Sequence, residues 1–178
     1  MALPLAVDLD GTLIKGDLFA AAMKRFCLSR PRRVFVLLAW LARGRAYAKA
    51  RLTELYPVDP AALPYDARVI AWLKAERESG RTIALATAFD RAGADAVAAH
   101  LGLFDHVFAS DGRTNLKSAR KAARLRQAFP QGFVYAGNER ADWKVWQAAA
   151  RAVIVNAPPA LEARVQAAFD VERTFPQA

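Results

Sequence analysis

A chain of 178 residues with 54% apolar side chains can hold one domain, or one domain carrying a smaller insert, around a full hydrophobic core. Its one cysteine, Cys27, excludes an internal disulfide and fits a reducing compartment. No apolar run reaches the roughly 18–20 residues of a membrane span, and Asp8 and Asp10 interrupt the N-terminal stretch too early for a signal peptide, so the expected location is the cytoplasm. The net charge of +9 is unevenly placed. From Leu18 to Thr53 there is no Asp or Glu, while Lys24, Arg25, Arg30, Arg32, Arg33, Arg43, Arg45, Lys49 and Arg51 all lie there, which points to an anionic partner: phosphate, lipid headgroup or nucleic acid.

In chain order, the first predicted strand is LAVDL, an apolar run that ends on Asp8 and Asp10 and turns at Gly11. The connection to the next strand, Gly11 to Arg81, is far longer than a crossover requires. It reads as helices over 18–28, about 32–43 and 45–55, punctuated by Pro31, Gly44 and Pro57. A further helix in PYDARVIAWLKAERESG belongs to the core layer. Then strands TIALAT (82–87), HVFAS (106–110), FVYAG (133–137) and AVIVN (152–156) alternate with the helical patterns RAGADAVAAHLG, SARKAARLRQAF and ADWKVWQAAAR, the last setting Trp143, Trp146 and Ala150 on one face. The prediction is an α/β fold: a Rossmann-like parallel sheet of about five strands, residues 1–16 and 63–178, with a small helical cap, residues 17–62, inserted after strand one.

In parallel sheets ligands bind beyond the carboxyl ends of the strands. There the sequence places Asp8 and Asp10, Thr87 with Asp90 as a helix cap, Lys117 and Lys121, and Gly137, Asn138, Glu139 and Asp142. Carboxylates, a hydroxyl, a lysine and further oxygen ligands are the parts of metal-assisted phosphoryl transfer. The oxygen donors suit Mg²⁺, and two histidines with one cysteine argue against zinc.

DLDGTL, the threonine closing strand two, a lysine opening a later helix and GNERAD together resemble the haloacid dehalogenase superfamily. The resemblance implies a phosphatase in which Asp8 is the nucleophile, Asp10 the general acid/base, and Thr87, Ala88 and Gly11 the phosphate contacts. Its lysine would be Lys121, since KAARL fits the pattern better than KSARK, with Lys117 the alternative. It also implies Mg²⁺ held by Asp8, Asp10 (through its carbonyl), Asn138 and Asp142, with Asn138 standing where the usual first acid would be.

The insert resembles the small cap of the phosphoserine-phosphatase-like branch, and a cap excludes water and carries substrate contacts. Its stretch RPRRVFVLLAWLARGR sets an apolar run between arginine-rich flanks, which suits either a helix packed on its neighbours or one lying at a membrane surface. A closer resemblance, in PLAVDLDGTLIKGDL, LATAFDR, HLGLFDHVFASDG and YAGNERADWKVW, is to the phosphatase-like domain fused to ubiquinone-type membrane prenyltransferases. It implies a small phosphorylated substrate, prenyl- or sugar-linked, or a non-catalytic module serving a membrane prenyltransferase at the inner face of the membrane. No groove-reading motif accompanies the arginines, which argues against nucleic acid.

Overall fold

The structure, a computed structural model, describes residues 2–177. Six parallel strands make one sheet: β1 (Leu5–Val7), β2 (Ile83–Asp90), β3 (His106–Ser110), β4 (Val134–Gly137), β5 (Arg151–Val155) and β6 (Val171–Phe175), in the spatial order β3-β2-β1-β4-β5-β6. β1 is therefore central, paired with β2 through Leu5–Ile83 and with β4 through Ala6–Tyr135.

Alternation along the strands divides the core in two. Leu5, Val7, Ile83, Leu85, Val134 and Val153 face one side, where α4 (Ala67–Glu78) contributes Val69, Trp72 and Leu73 and α5 (Arg91–Leu101) contributes Ala94 and Val97. Ala6, Ala84, Tyr135 and Ile154 face the other. There α6 (Ala119–Ala128) brings Leu125, α7 (Trp143–Trp146) brings Trp146, and α8 (Pro159–Ala168) brings Val165. Burying a large apolar side chain of this kind contributes about 1.5–3 kcal/mol. Two-sided coverage explains why the central strands read as continuous apolar runs.

Between β1 and β2 run three helices, α1 (Leu18–Ser29), α2 (Arg33–Ala42) and α3 (Arg45–Leu55). They close on their own cluster of Phe19, Phe26, Leu37, Ala48 and Leu52, with Phe26 stacked on Trp40 at 5.0 Å between ring centroids. Asp17 caps α1 by accepting the Ala20 N–H at 2.9 Å. α3 is the member that reaches the core, lying against β2 and α5.

Three expectations need correction. The sheet, expected to hold about five strands, has a sixth, β6. β6 is an edge strand in which Glu172 and Thr174 are half-buried and Arg173 exposed, so it lacks the apolar signature of its neighbours. β2 does not stop at Thr87 but continues to Asp90, with its pairing to β3 shifting register between Ala86 and Asp90. The helix expected over ADWKVWQAAAR is only a 3-10 turn at Arg140–Asp142 followed by the four residues of α7. Its terminal turns tighten, with the Ala148 N–H donating to the Val145 carbonyl, so that the chain can enter β5. Ala150 is exposed rather than aligned with Trp146.

Candidate active site

The site begins with strand parity. Asp8 follows Val7 and continues the pairing with β4, its N–H donating to the Ala136 carbonyl at 3.0 Å. Its side chain falls on the face of Ala6 and Tyr135, which is also the face of α6. Lys121, on the first turn of α6 and 2% exposed, reaches Asp8 Oδ1 with its Nζ at 3.0 Å. The same oxygen accepts the Leu9 N–H at 2.8 Å, while Oδ2 accepts no hydrogen bond from the described residues. Burial pushes the Asp8 carboxyl above the usual range, and the Lys121 charge opposes that push.

Lys121 is braced in turn. Its Nζ donates to the Tyr135 hydroxyl at 2.8 Å, and that hydroxyl donates to Asp142 Oδ1 at 2.7 Å. Asp142 Oδ2 accepts the N–H groups of Asn138 and Glu139 at 3.0 and 3.1 Å. Gly137 makes room for this carboxylate, since a Cβ there would stand 2.7 Å from Asp142 Oδ2. Both oxygens of Asp142 are thus taken by protein donors. It aligns Tyr135 and Lys121 and holds the turn after β4.

Asp10 sits one alternation beyond Asp8. Its Oδ1 accepts the Leu18 N–H at 2.8 Å, tying it to the first turn of α1. Burial raises its carboxyl to about 7; the Leu18 hydrogen bond opposes the shift and the charge of Asp8 adds to it. Gly11, at φ +72°, lies against Asn138, whose Nδ2 would be 2.0 Å from a Cβ at that position. The Thr12 hydroxyl donates to Asn138 Oδ1 at 3.3 Å.

Asp8, Asp10, Gly11, Ala88, Lys117, Lys121, Asn138 and Asp142 line one cavity of about 320 Å³. Two of the sequence-predicted residues are engaged elsewhere than with Asp8. Thr87 is fully buried, and its hydroxyl oxygen accepts the Phe89 N–H at 2.9 Å; Ala88, not Thr87, forms the cavity wall here. Lys117 pairs with Glu139 at 2.8 Å on the exposed rim, so Lys121 is the lysine that meets Asp8.

Two residues were missed by the sequence reading. Tyr135 was counted as a strand apolar, although a hydroxyl inside a strand covered on both faces must find partners. Lys49 stands in the sequence as one of the insert's many cations, yet it is 7% exposed. It shares the buried face of α3 with Ala46, Leu52 and Thr53, at the helical spacing that could have revealed it. From there it enters the cavity and donates to the Ala88 carbonyl and, at 3.2 Å, to Asn115 Oδ1. Burial lowers its ammonium to about 8, with Asp10 the main opposing charge. Arg45, Asp17 and Phe19 of the insert line the same cavity.

The donor set can be tested against a divalent cation. Among the described residues no group of three or more His, Cys, Asp or Glu side chains is placed to hold a metal. Asp8, Asp10, Asn138 and Asp142 all line the cavity. These are hard oxygen donors and fit Mg²⁺ in kind, with Asn138 the one that brings no charge.

No family model matches the chain. It is 38% identical over 173 residues to the uncharacterized protein y4nM of Sinorhizobium fredii, a match covering 97% of this chain and 34% of that protein, so the chain spans about a third of its curated relative. Among solved structures it is similar to a haloacid dehalogenase family hydrolase of Salmonella enterica serovar Typhi, with a TM-score of 0.68 and 12% identity over 97% of this chain and 68% of that one. It is also similar to phosphoserine phosphatase in a form described as a phospho-aspartyl intermediate analogue, with a TM-score of 0.65 and 14% identity over 97% and 92%. The fold is that of the haloacid dehalogenase family hydrolases.

Proposed function

We propose that this protein is a phosphomonoester hydrolase that works through an aspartyl-phosphate on Asp8. The observation that carries the reading is the Asp8–Lys121 pair at 3.0 Å, set in a 320 Å³ cavity at the carboxyl end of the central strand and braced by Tyr135 and Asp142. The likeness to the phosphoserine phosphatase analogue supports it through the fold.

In the reaction, an oxygen of Asp8 bonds to phosphorus as the bond to the leaving oxygen breaks, and Asp10 gives that oxygen its proton. A buried carboxyl raised to about 7 can hold a proton near neutrality for this purpose. Asp10, now a carboxylate, then takes a proton from a water that attacks the phosphorus, which frees inorganic phosphate and restores Asp8. Lys121 offsets the negative charge gathering at Asp8 and the phosphoryl oxygens, and Gly11 and Ala88 line the space those oxygens occupy. Asp8 and Asn138 would hold Mg²⁺, which when bound reduces the repulsion between carboxylate and phosphate. We read residues 17–62 as a cap over the cavity that excludes water and contacts the leaving group through Lys49 and Arg45.

The test is Mg²⁺-dependent turnover of an aryl phosphate, followed by a panel of prenyl- and sugar-linked phosphates. Asp8→Asn is expected to reduce turnover on the order of 10⁴-fold; activity that survives it overturns the assignment of the nucleophile. Asn138, neutral where an acid is expected, favours a second reading: a binding module serving a membrane prenyltransferase. That reading predicts phosphate binding with no turnover of any ester.

A further inference from the structure

The cavity does not account for the outer side of the insert. All the exposed large apolar side chains among the described residues lie there: Leu28, Val34, Phe35, Val36, Leu38 and Leu55. Leu28 and Phe35 are each 74% exposed and Leu38 is 56% exposed. Of the ten residues of α2 only Leu37 is buried, with Trp40 and Leu41 packed at the margin of the insert's own cluster. The helix has no polar residue after Arg33, so the side turned away from the protein is apolar from Val34 to Ala42. A patch of this kind marks an interaction surface.

Its surroundings identify the partner. Arg30 and Arg32 stand exposed before the helix and Arg43 and Arg45 after it. Across Leu18–Thr53, Arg51 with Glu54 is the single cation in an ion pair among the described residues. A second copy of this face would fit poorly, because both ends of α2 are basic and either parallel or antiparallel pairing sets arginine on arginine. An anionic bilayer satisfies both features: its acyl boundary takes up the apolar face of a helix about 15 Å long, and its headgroups meet the arginines at either end.

We propose that α2 docks in the plane of an anionic lipid surface, with Leu28, Phe35 and Leu38 entering the acyl boundary and Arg30, Arg32 and Arg43 at the headgroups. The cavity opens on α1 and α3 of the same insert, so docking would hold the site at the surface. The inference rests on the insert's exterior and stands whether or not the chain hydrolyses phosphate esters.

The experiment is co-sedimentation of the purified chain with extruded vesicles, either pure phosphatidylcholine or phosphatidylcholine with about 30 mol% phosphatidylserine. Binding is expected to the anionic vesicles, falling several-fold at about 0.5 M salt. The double variant Phe35→Glu with Leu38→Glu is expected to reduce it roughly tenfold or more, and Arg30→Glu with Arg32→Glu to remove the preference for anionic lipid. Circular dichroism and a melting curve establish that the variants stay folded. If either pair unfolds the chain, Phe35→Ser with Leu38→Ser and Arg30→Gln with Arg32→Gln replace them, with the same expected direction. The proposal is overturned if folded wild-type protein ignores anionic vesicles, or if the apolar-face variants bind as well as wild type. It is overturned equally by a lipid-free dimer that those variants dissociate, or by sedimentation that needs an added protein.

Discussion

The carboxyl end of β1 and the helical insert place their charges in opposite ways. At the strand end, Asp8, Lys121, Tyr135 and Asp142 are all buried and each has a named partner, so every charge is held in one geometry. In the insert the charges are mostly exposed, apolar side chains face outward, and the cluster that unites the three helices is small. A buried ion pair is costly to break and sits in low dielectric, which suits groups that must act on a phosphoryl centre without reorganising. An exposed, weakly anchored element suits contact with whatever differs from one ligand or surface to the next. Lys49 is the exception that joins them: it is carried by the insert but buried at the strand ends.

The largest effect is expected at Lys121. Lys121→Met leaves the buried Asp8 and Asp142 carboxylates without their shared cation, and is expected to lower kcat roughly 10³-fold and stability by about 3–5 kcal/mol. Steady-state kinetics with chemical denaturation would show both losses together; near-normal turnover would mean the network is not what activates Asp8. Asp142→Asn is a milder cut. The amide can still accept from Tyr135 but presents a donor to the N–H groups of Asn138 and Glu139, so kcat should drop about 10²-fold, with KM little changed.

On the insert side, Lys49→Met should act on binding. KM is expected to rise roughly tenfold with kcat within a few-fold, and the melting temperature to hold, because methionine fills the stem's space and removes a buried charge. A fall in kcat as large as that of Asp142→Asn would instead place Lys49 in the chemistry.

The smallest effect is expected at the junction, where Asp66 caps α4 and binds Arg68 at 2.7 Å and Asn156 at 3.0 Å. The Arg68 hydrogen bonds hold its carboxyl well below its ordinary 3.8 despite burial. The stability this adds is complete above the unfolded value and is lost as the pH falls below about 4. Melting curves between neutral pH and about pH 2 should show a wild-type decline that is shallower in Asp66→Asn, which keeps the cap but cannot titrate.

Much of the fold was legible because burial on both faces makes a strand apolar throughout, and the four inner runs carry that mark, as does most of the edge strand β3. β6 does not, since an edge strand with one open side alternates Glu172, Arg173 and Thr174 like a loop. The helix expected after β4 failed for a related reason: ADWKVWQAAAR has helical periodicity, but the pull toward β5 ends the helix at Trp146. Among site residues, Asp8, Asp10 and Asn138 announce themselves through local pattern. Lys117 and Lys121 do not separate that way, because a spacing of four would set both on one face of a helix; in the structure α6 begins only at Ala119 and Lys117 precedes it.

The sequence alone therefore determined the chain's architecture, the two carboxylates after β1 and the basic, apolar insert, because each is written in residues close together along the chain. Tertiary structure decided the rest. It tied Asp142 to Tyr135 and the turn after β4, sealed Thr87 behind Ala88, set Lys121 rather than Lys117 on Asp8, and drew Tyr135 and Lys49 into the site. Each of those outcomes depends on which polar atoms meet when distant strands and helices close over one another, and buried polar atoms must find partners wherever the chain carries them.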